Sequence, residues 1–153
     1  MLNKFIIASL TFCIIFSCQT NSDSKEIVFV CTHGAARSPI AAAYFNRIAA
    51  EHKLKYHAVF RGTHPDDQLT KETVQGLNSD GFDIKNWKPK LVSQNDINNA
   101  YQIITFDCTV PTENSSALQE NWSGTPSPSK AYENYTAIVK EKVKQLVEQL
   151  PSN

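Results

Sequence analysis

The chain has 153 residues, 41% hydrophobic and 20% charged, a mixture that fits one globular domain with a real core and excludes disordered and collagen-like chains. Fifteen Lys and Arg balance fifteen Asp and Glu, for a formal net charge of +0. The basic residues form neither a run nor a stripe interleaved with aromatics, so no nucleic-acid partner is expected, whereas a small anion needs only a local positive site.

The first segment, MLNKFIIASLTFCIIFSCQT, carries one positive charge at Lys4, then twelve uncharged and mostly apolar residues from Phe5 to Phe16, then Ser17. That is the architecture of a secretory signal and too short for a spanning helix. Its ending IFSC resembles a bacterial lipoprotein signal. The resemblance implies a signal peptide over residues 1–17, lipid on Cys18, a lipidated tether over 18–25, and an exported cell-envelope protein held to the membrane by that anchor. A plain signal peptide or an uncleaved anchor is the other reading. The mature domain, 26–153, then keeps two of the four cysteines, Cys31 and Cys108, which an oxidising compartment favours pairing.

EIVFV, from Glu26, predicts a short buried strand, and residues from Ser38 to about His52 predict a helix with Ile40, Tyr44 and Ile48 recurring every four residues. Pro39 suits its first turn. YHAVFRG predicts a second strand closed by Gly62, and GTHPDDQ a loop. Thr70 caps a helix carrying Val74 and Leu77 that stops at Gly81. SQND at Ser93 has capping-box spacing for a short helix ending near Ala100, and YQIITF is a third strand. Residues 107–130 form a Thr-, Ser-, Asn- and Pro-rich loop with a short fourth strand near Ala117 to Trp122. Tyr135, Ile138, Val139, Val143, Leu146, Val147 and Leu150 mark a final amphipathic helix. Alternating strands and helices predict an α/β domain whose parallel sheet is covered on both faces, with ligands at the carboxyl ends of the strands.

Cys31 stands at such an end. CTHGAARS places five residues between Cys31 and Arg37, directly between a strand and a helix. Thr32, His33, Gly34, Ala35 and Ala36 are mostly small, so the loop curls with its N–H groups inward. The following helix adds its positive end, and the whole cradles a tetrahedral dianion. Arg37 closes it with a planar fork matched to two oxyanion oxygens. The same field favours a nucleophilic thiolate at Cys31, to which Ser38 can donate a hydrogen bond. A buried structural cysteine beside a surface arginine is the alternative.

VFVCTHGAARSPIAAAYF resembles the phosphate-binding loop and first helix of the low-molecular-weight protein tyrosine phosphatase superfamily, which includes thiol-dependent arsenate reductases. FRGTHPDD, GFDIKNWKPKLVS, YQIITFD and NWSGTPSPSK extend the resemblance over nearly the whole mature chain. It implies a four-stranded parallel sheet, Cys31 as nucleophile, Arg37 as oxyanion clamp, phosphate, phosphoester or arsenate as the ligand, and neither metal nor cofactor. Two residues depart from the family pattern. Gly34 replaces an Asn that takes a left-handed conformation, which glycine adopts freely. Ser127 precedes Pro128 where the family has the Asp that protonates the leaving oxygen, and a serine hydroxyl is far too weak an acid for that work.

Asp107 matches an Asp that supports the phosphatase site and is the first candidate for a replacement proton donor, ahead of Asp66 and Asp67. Cys108 is either a resolving thiol for Cys31 or a small buried residue. His33 either lines the mouth of the cradle or bonds locally; His52, His57 and His64 are expected to be structural or solvent-facing. Trp87 and Trp122 either wall an aromatic pocket or anchor the core. Three functions compete: a cysteine-dependent phosphomonoester hydrolase, an arsenate reductase, and a phosphate or phosphoprotein binder without catalysis.

Overall fold

The structure is a computed structural model and describes residues 24–112 and 115–151. The expected signal peptide, the expected lipidation position Cys18 and nearly all of the expected tether lie outside the described residues.

Four strands, β1 (Lys25–Cys31), β2 (Tyr56–Gly62), β3 (Ala100–Phe106) and β4 (Leu118–Asn121), pair in parallel in the order β2-β1-β3-β4. Being central, β1 is buried on both faces, which is why it reads as an unbroken apolar run. Ile27, Phe29 and Cys31 join the larger core cluster, whereas Val28 and Val30 join a smaller one with Ile97, Ala100 and Ile103. Helices α1 (Arg37–Glu51), α2 (Lys71–Ser79) and α4 (Tyr132–Gln149) pack together on the first face, and the six-residue α3 (Gln94–Asn99) packs on the second, against β1 and β3. Among the described residues no helix is long and apolar enough to cross a membrane.

Ala41, Ala42, Ala43 and Ala49 leave α1 thin enough to lie against both the sheet and α4. Phe29, Phe106 and Trp122 meet at tilted and edge-on angles, with Trp122 centred 5.5 Å from Phe29 and 5.7 Å from Phe106. Trp122 is therefore a core anchor rather than a pocket wall. Tyr135, Val139, Val143, Leu146 and Val147 of α4 and Leu150 at its C-cap are buried as expected, whereas Ile138 is exposed. At about 100° per residue it falls outside the arc that the others share.

Three helices meet at one carboxylate. Tyr44 of α1 and Tyr132 of α4 both donate to Asp80 Oδ2 at the end of α2, the second over 2.7 Å, and Arg47 donates to the Asp80 carbonyl over 2.8 Å. Gly76 makes room for this, since a Cβ there would lie 2.2 Å from the Tyr132 ring.

Cys31 is level with Gly62 on one side and Phe106 on the other, so three carboxyl strand ends share a rim. The chain leaves β1 toward β2 and leaves β3 toward β4, in opposite directions. Such a switch point opens a crevice at the carboxyl edge.

Candidate active site

The loop from Cys31 to Arg37 is held by a second loop, residues 63–70, through backbone bonds. Thr63, His64, Asp66 and Thr70 N–H groups donate to the carbonyls of Cys31, Thr32, His33 and Ala35 over 3.1, 2.7, 3.0 and 3.0 Å. With those carbonyls turned outward, the loop presents its amides to its own concave side, the arrangement that binds anions. Gly34 sits at φ +61, and a Cβ on it would lie 2.9 Å from the Gly62 nitrogen. Glycine is required twice over, by conformation and by contact. Helix α1 begins at Arg37 with Ala36 as its N-cap, and no side chain caps its first turn, whereas Thr70 caps α2 and Ser93 caps α3. Its N-terminal amides thus remain available to an anion.

Cys31 is 3% exposed at the base of the cradle, and its Sγ lies 3.2 Å from Ser38 Oγ. Ser38 is fully buried and also lies 3.2 Å from the Arg61 carbonyl. One hydroxyl proton serves both partners in turn. While Cys31 is a thiol, its S–H donates to Ser38 and Ser38 donates to Arg61; when Cys31 ionises, the hydroxyl turns to the sulfur.

Arg37 is positioned from three sides. Its Nη1 donates to Asp107 Oδ2 over 2.5 Å, its carbonyl accepts from Tyr135 Oη over 2.7 Å, and its guanidinium lies 5.9 Å from the centre of the Phe106 ring. Asp107, just past β3 at φ +50, also accepts from the Gly124 amide over 3.1 Å. The hydrogen bond from Arg37, then that from Gly124, holds its carboxyl below the usual carboxylate range. Asp107 is thus an ionised strut for the arginine, unsuited to giving up a proton near neutrality. The sequence offered it as a supporting or proton-donating residue, and this geometry favours support. Tyr135 was legible in the sequence only as part of an apolar stripe; nothing in that spacing signalled that its hydroxyl reaches the cradle.

His33 turns its ring to Asp66, with Nδ1 3.1 Å from Oδ1, and remains 64% exposed at the edge of the cradle. Ser127 is exposed on the loop before α4, where its oxygens accept from Ser129 N–H over 3.4 Å and Lys130 N–H over 3.3 Å. It shapes a turn. Cys108 is not bridged to Cys31; its thiol donates to the Val30 carbonyl over 3.4 Å and packs against the smaller cluster on the other face of the sheet. Burial pushes that thiol's pKa up.

His57 lies between Glu26 and Ser24, at the opposite ends of β1 and β2 from the cradle. His52 is the C-cap of α1, and His64 is exposed beside Thr63. Trp87 lies tilted against Phe60, ring centres 5.2 Å apart, and lines a groove of about 720 Å³ with Asp67, Leu69, Val74 and Ile84. Among the described residues no group of three or more His, Cys, Asp and Glu side chains is placed to hold a metal ion.

The sequence pattern of the family described as low molecular weight phosphotyrosine protein phosphatase matches residues 26–123. A Halobacterium salinarum protein provisionally assigned as an arsenate reductase is 29% identical over 83 residues, 53% of this chain and 58% of that one. The chain thus spans less than two thirds of that relative. A low molecular weight protein tyrosine phosphatase from Streptococcus pyogenes has the same fold, with a TM-score of 0.71 at 20% identity over 84% of this chain and 95% of the other. So does a thioredoxin-dependent arsenate reductase from Corynebacterium glutamicum, with a TM-score of 0.68 at 18% identity over 82% of this chain and 61% of the other.

Proposed function

The chain belongs to the low molecular weight phosphotyrosine protein phosphatase family, and from that premise we propose that it is a phosphomonoester hydrolase working through a phosphocysteine on Cys31. The observation that carries this reading is the cradle itself: outward carbonyls at four positions, an uncapped helix start, a buried thiol at the base and an arginine braced by Asp107.

Cys31 attacks phosphorus in line with the ester oxygen. The cradle amides and the Arg37 fork stabilise charge on the three equatorial oxygens. Ser38 turns its hydroxyl to the sulfur while it is anionic, and Asp107 and Tyr135 hold Arg37 in register. Water then attacks the phosphocysteine and releases phosphate. Ser127 cannot supply a proton to the leaving oxygen.

Hydrolysis of para-nitrophenyl phosphate by the purified protein, lost in Cys31→Ser, is the expected result. Absence of turnover over several hours would overturn the hydrolase reading. Arsenate reduction is the second reading, favoured by the Halobacterium relative. It requires arsenate-dependent oxidation of a thiol donor that fails in Cys108→Ser, and the attachment of Cys108 to the Val30 carbonyl weighs against it. Phosphate binding with neither reaction would leave a binding protein. The leader supports a further proposal, that the domain is displayed at the cell envelope through lipid on Cys18. Fatty-acid labelling that persists in Cys18→Ala would remove it.

A further inference from the structure

We propose that His33, held by Asp66, is the proton donor to the leaving oxygen, replacing the acid that Ser127 cannot provide. The proposal rests on the hydrolase reading above. Within the cradle, Cys31 to Ser38, the imidazole is the one side chain suited to giving a proton near neutral pH, since Arg37 stays charged and hydroxyls hold their protons too tightly. Asp107 is excluded by its bond to Arg37, which keeps it ionised.

The His33 and Asp66 pair is built, not incidental. Asp66 grips His33 twice, through its backbone N–H to the His33 carbonyl over 3.0 Å and through Oδ1 to Nδ1 over 3.1 Å. A carboxylate on Nδ1 fixes the tautomer and orientation of the ring and leaves Nε2 for the reaction, the division of labour of a catalytic Asp and His pair. Exposure of the ring also fits the chemistry. Attack in line puts the leaving oxygen on the side of phosphorus opposite the buried sulfur, at the open side of the cradle.

Atoms balance over the cycle. The sulfur to phosphorus bond forms as the phosphorus to ester oxygen bond breaks, and the proton on His33 Nε2 passes to the departing oxygen. The neutral imidazole then takes a proton from the water that attacks phosphocysteine. The sulfur to phosphorus bond breaks, phosphate leaves, and the thiolate and imidazolium are restored. The titratable and charged groups on the segments around the ring are Cys31 and Arg37 in the cradle, His64, Asp66 and Asp67 in the facing loop, and Asp107 after β3.

The test uses aryl phosphates of increasing leaving-group pKa, from dinitrophenyl to phenyl phosphate, with the native protein, His33→Gln, Asp66→Asn and, as a control far from the cradle, His57→Gln. Removing a general acid typically costs about 10²- to 10⁴-fold. The loss in His33→Gln is expected to reach that range on phenyl phosphate and to shrink steadily toward dinitrophenyl phosphate, whose leaving oxygen needs no proton. Asp66→Asn, which takes away the carboxylate that orients the ring, should show the same dependence on leaving group with a smaller loss, a pattern that a merely structural role would not produce. His57→Gln should follow the native protein on every ester. An equal loss of His33→Gln on all esters, or an Asp66→Asn variant that matches the native protein on phenyl phosphate, would overturn the proposal while leaving the hydrolase intact. Absence of Cys31-dependent turnover on any ester would overturn both.

Discussion

Gly34 shows how much a single position in the cradle constrains. The family pattern expects Asn there, and restoring it looks like a repair. The contacts argue the reverse, because Gly34 and Gly62 each leave no room for a Cβ: each would come within 2.9 Å of the other's nitrogen. A side chain at φ +61 adds strain of about 1 to 3 kcal/mol. Gly34→Asn is therefore expected to lower the melting temperature and weaken phosphate binding, measured by thermal unfolding and by calorimetric titration; a raised melting temperature would mean that the two loops part easily. Asp107 is the other revealing residue. Asp107→Asn keeps an acceptor for the Gly124 amide but removes the charge that fixes the Arg37 fork. A clamp misplaced by a fraction of an ångström costs about tenfold or more in kcat/KM. The same variant should also weaken inhibition by inorganic phosphate, and unchanged inhibition would show that Arg37 orients without it.

At the scale of elements, the join between α2 and α4 makes a prediction whose sign runs against helix propensity. Gly76 lies inside α2, where alanine is worth about 1 kcal/mol more than glycine. Here a methyl group would meet the Tyr132 ring at 2.2 to 2.5 Å, and overpacking costs about 1 to 3 kcal/mol. Gly76→Ala should thus destabilise the protein, and Gly76→Ala combined with Tyr132→Ala should recover part of the loss, the coupling that a double-mutant cycle in chemical denaturation would measure. If the single variant is stabilised instead, the ring moves aside at little cost. This join also marks where the sequence stopped being legible. Periodicity sufficed for β1, α1 and α4, and turn chemistry for the caps at Thr70 and Ser93, because each of those signals is local. Cys31 and Arg37 were legible for the same reason. Asp107 and Arg37 lie 70 positions apart, and Tyr135 and Arg37 98 apart. No spacing rule reaches across such a distance, so the bracing of the arginine had to be seen in three dimensions. Trp122 had two roles open to it in the sequence, and which one it takes depends on Phe29 and Phe106, aromatics on two other strands.

At the scale of the whole molecule, three of the carboxylates among the described residues that tie elements together, Asp80, Asp96 and Asp107, have their pKa below the ordinary value. Asp107 joins the end of β3 to α1 and is lowered by the hydrogen bonds from Arg37 and then Gly124. Asp96 joins α3 to β2: burial pushes it up, but hydrogen bonds from Arg61, at 2.6 and 2.9 Å, and from Ser93 outweigh that. Asp80 joins α2 to α1 and α4, with burial again outweighed by the Tyr44 and Tyr132 hydroxyls. A carboxylate with a depressed folded pKa contributes stability that is present above its unfolded pKa and is lost as pH falls through the folded one. The tyrosines work the other way. Burial raises Tyr44, Tyr132 and Tyr135, with the bond to Asp80 adding to the first two; their contribution is present below the unfolded value and is lost as pH rises past it. The melting temperature should therefore hold level from about pH 5 to about pH 9 and fall on both sides, below about pH 4 and above about pH 10, where free carboxyls and phenols titrate. Asp96→Asn should lower the plateau and flatten the acid limb, because the native protein then loses one fewer charged tie on acidification. Tyr132→Phe should likewise soften the alkaline limb. A melting temperature that already drops between pH 7 and pH 5 would show that groups other than these three carboxylates govern the acid limb.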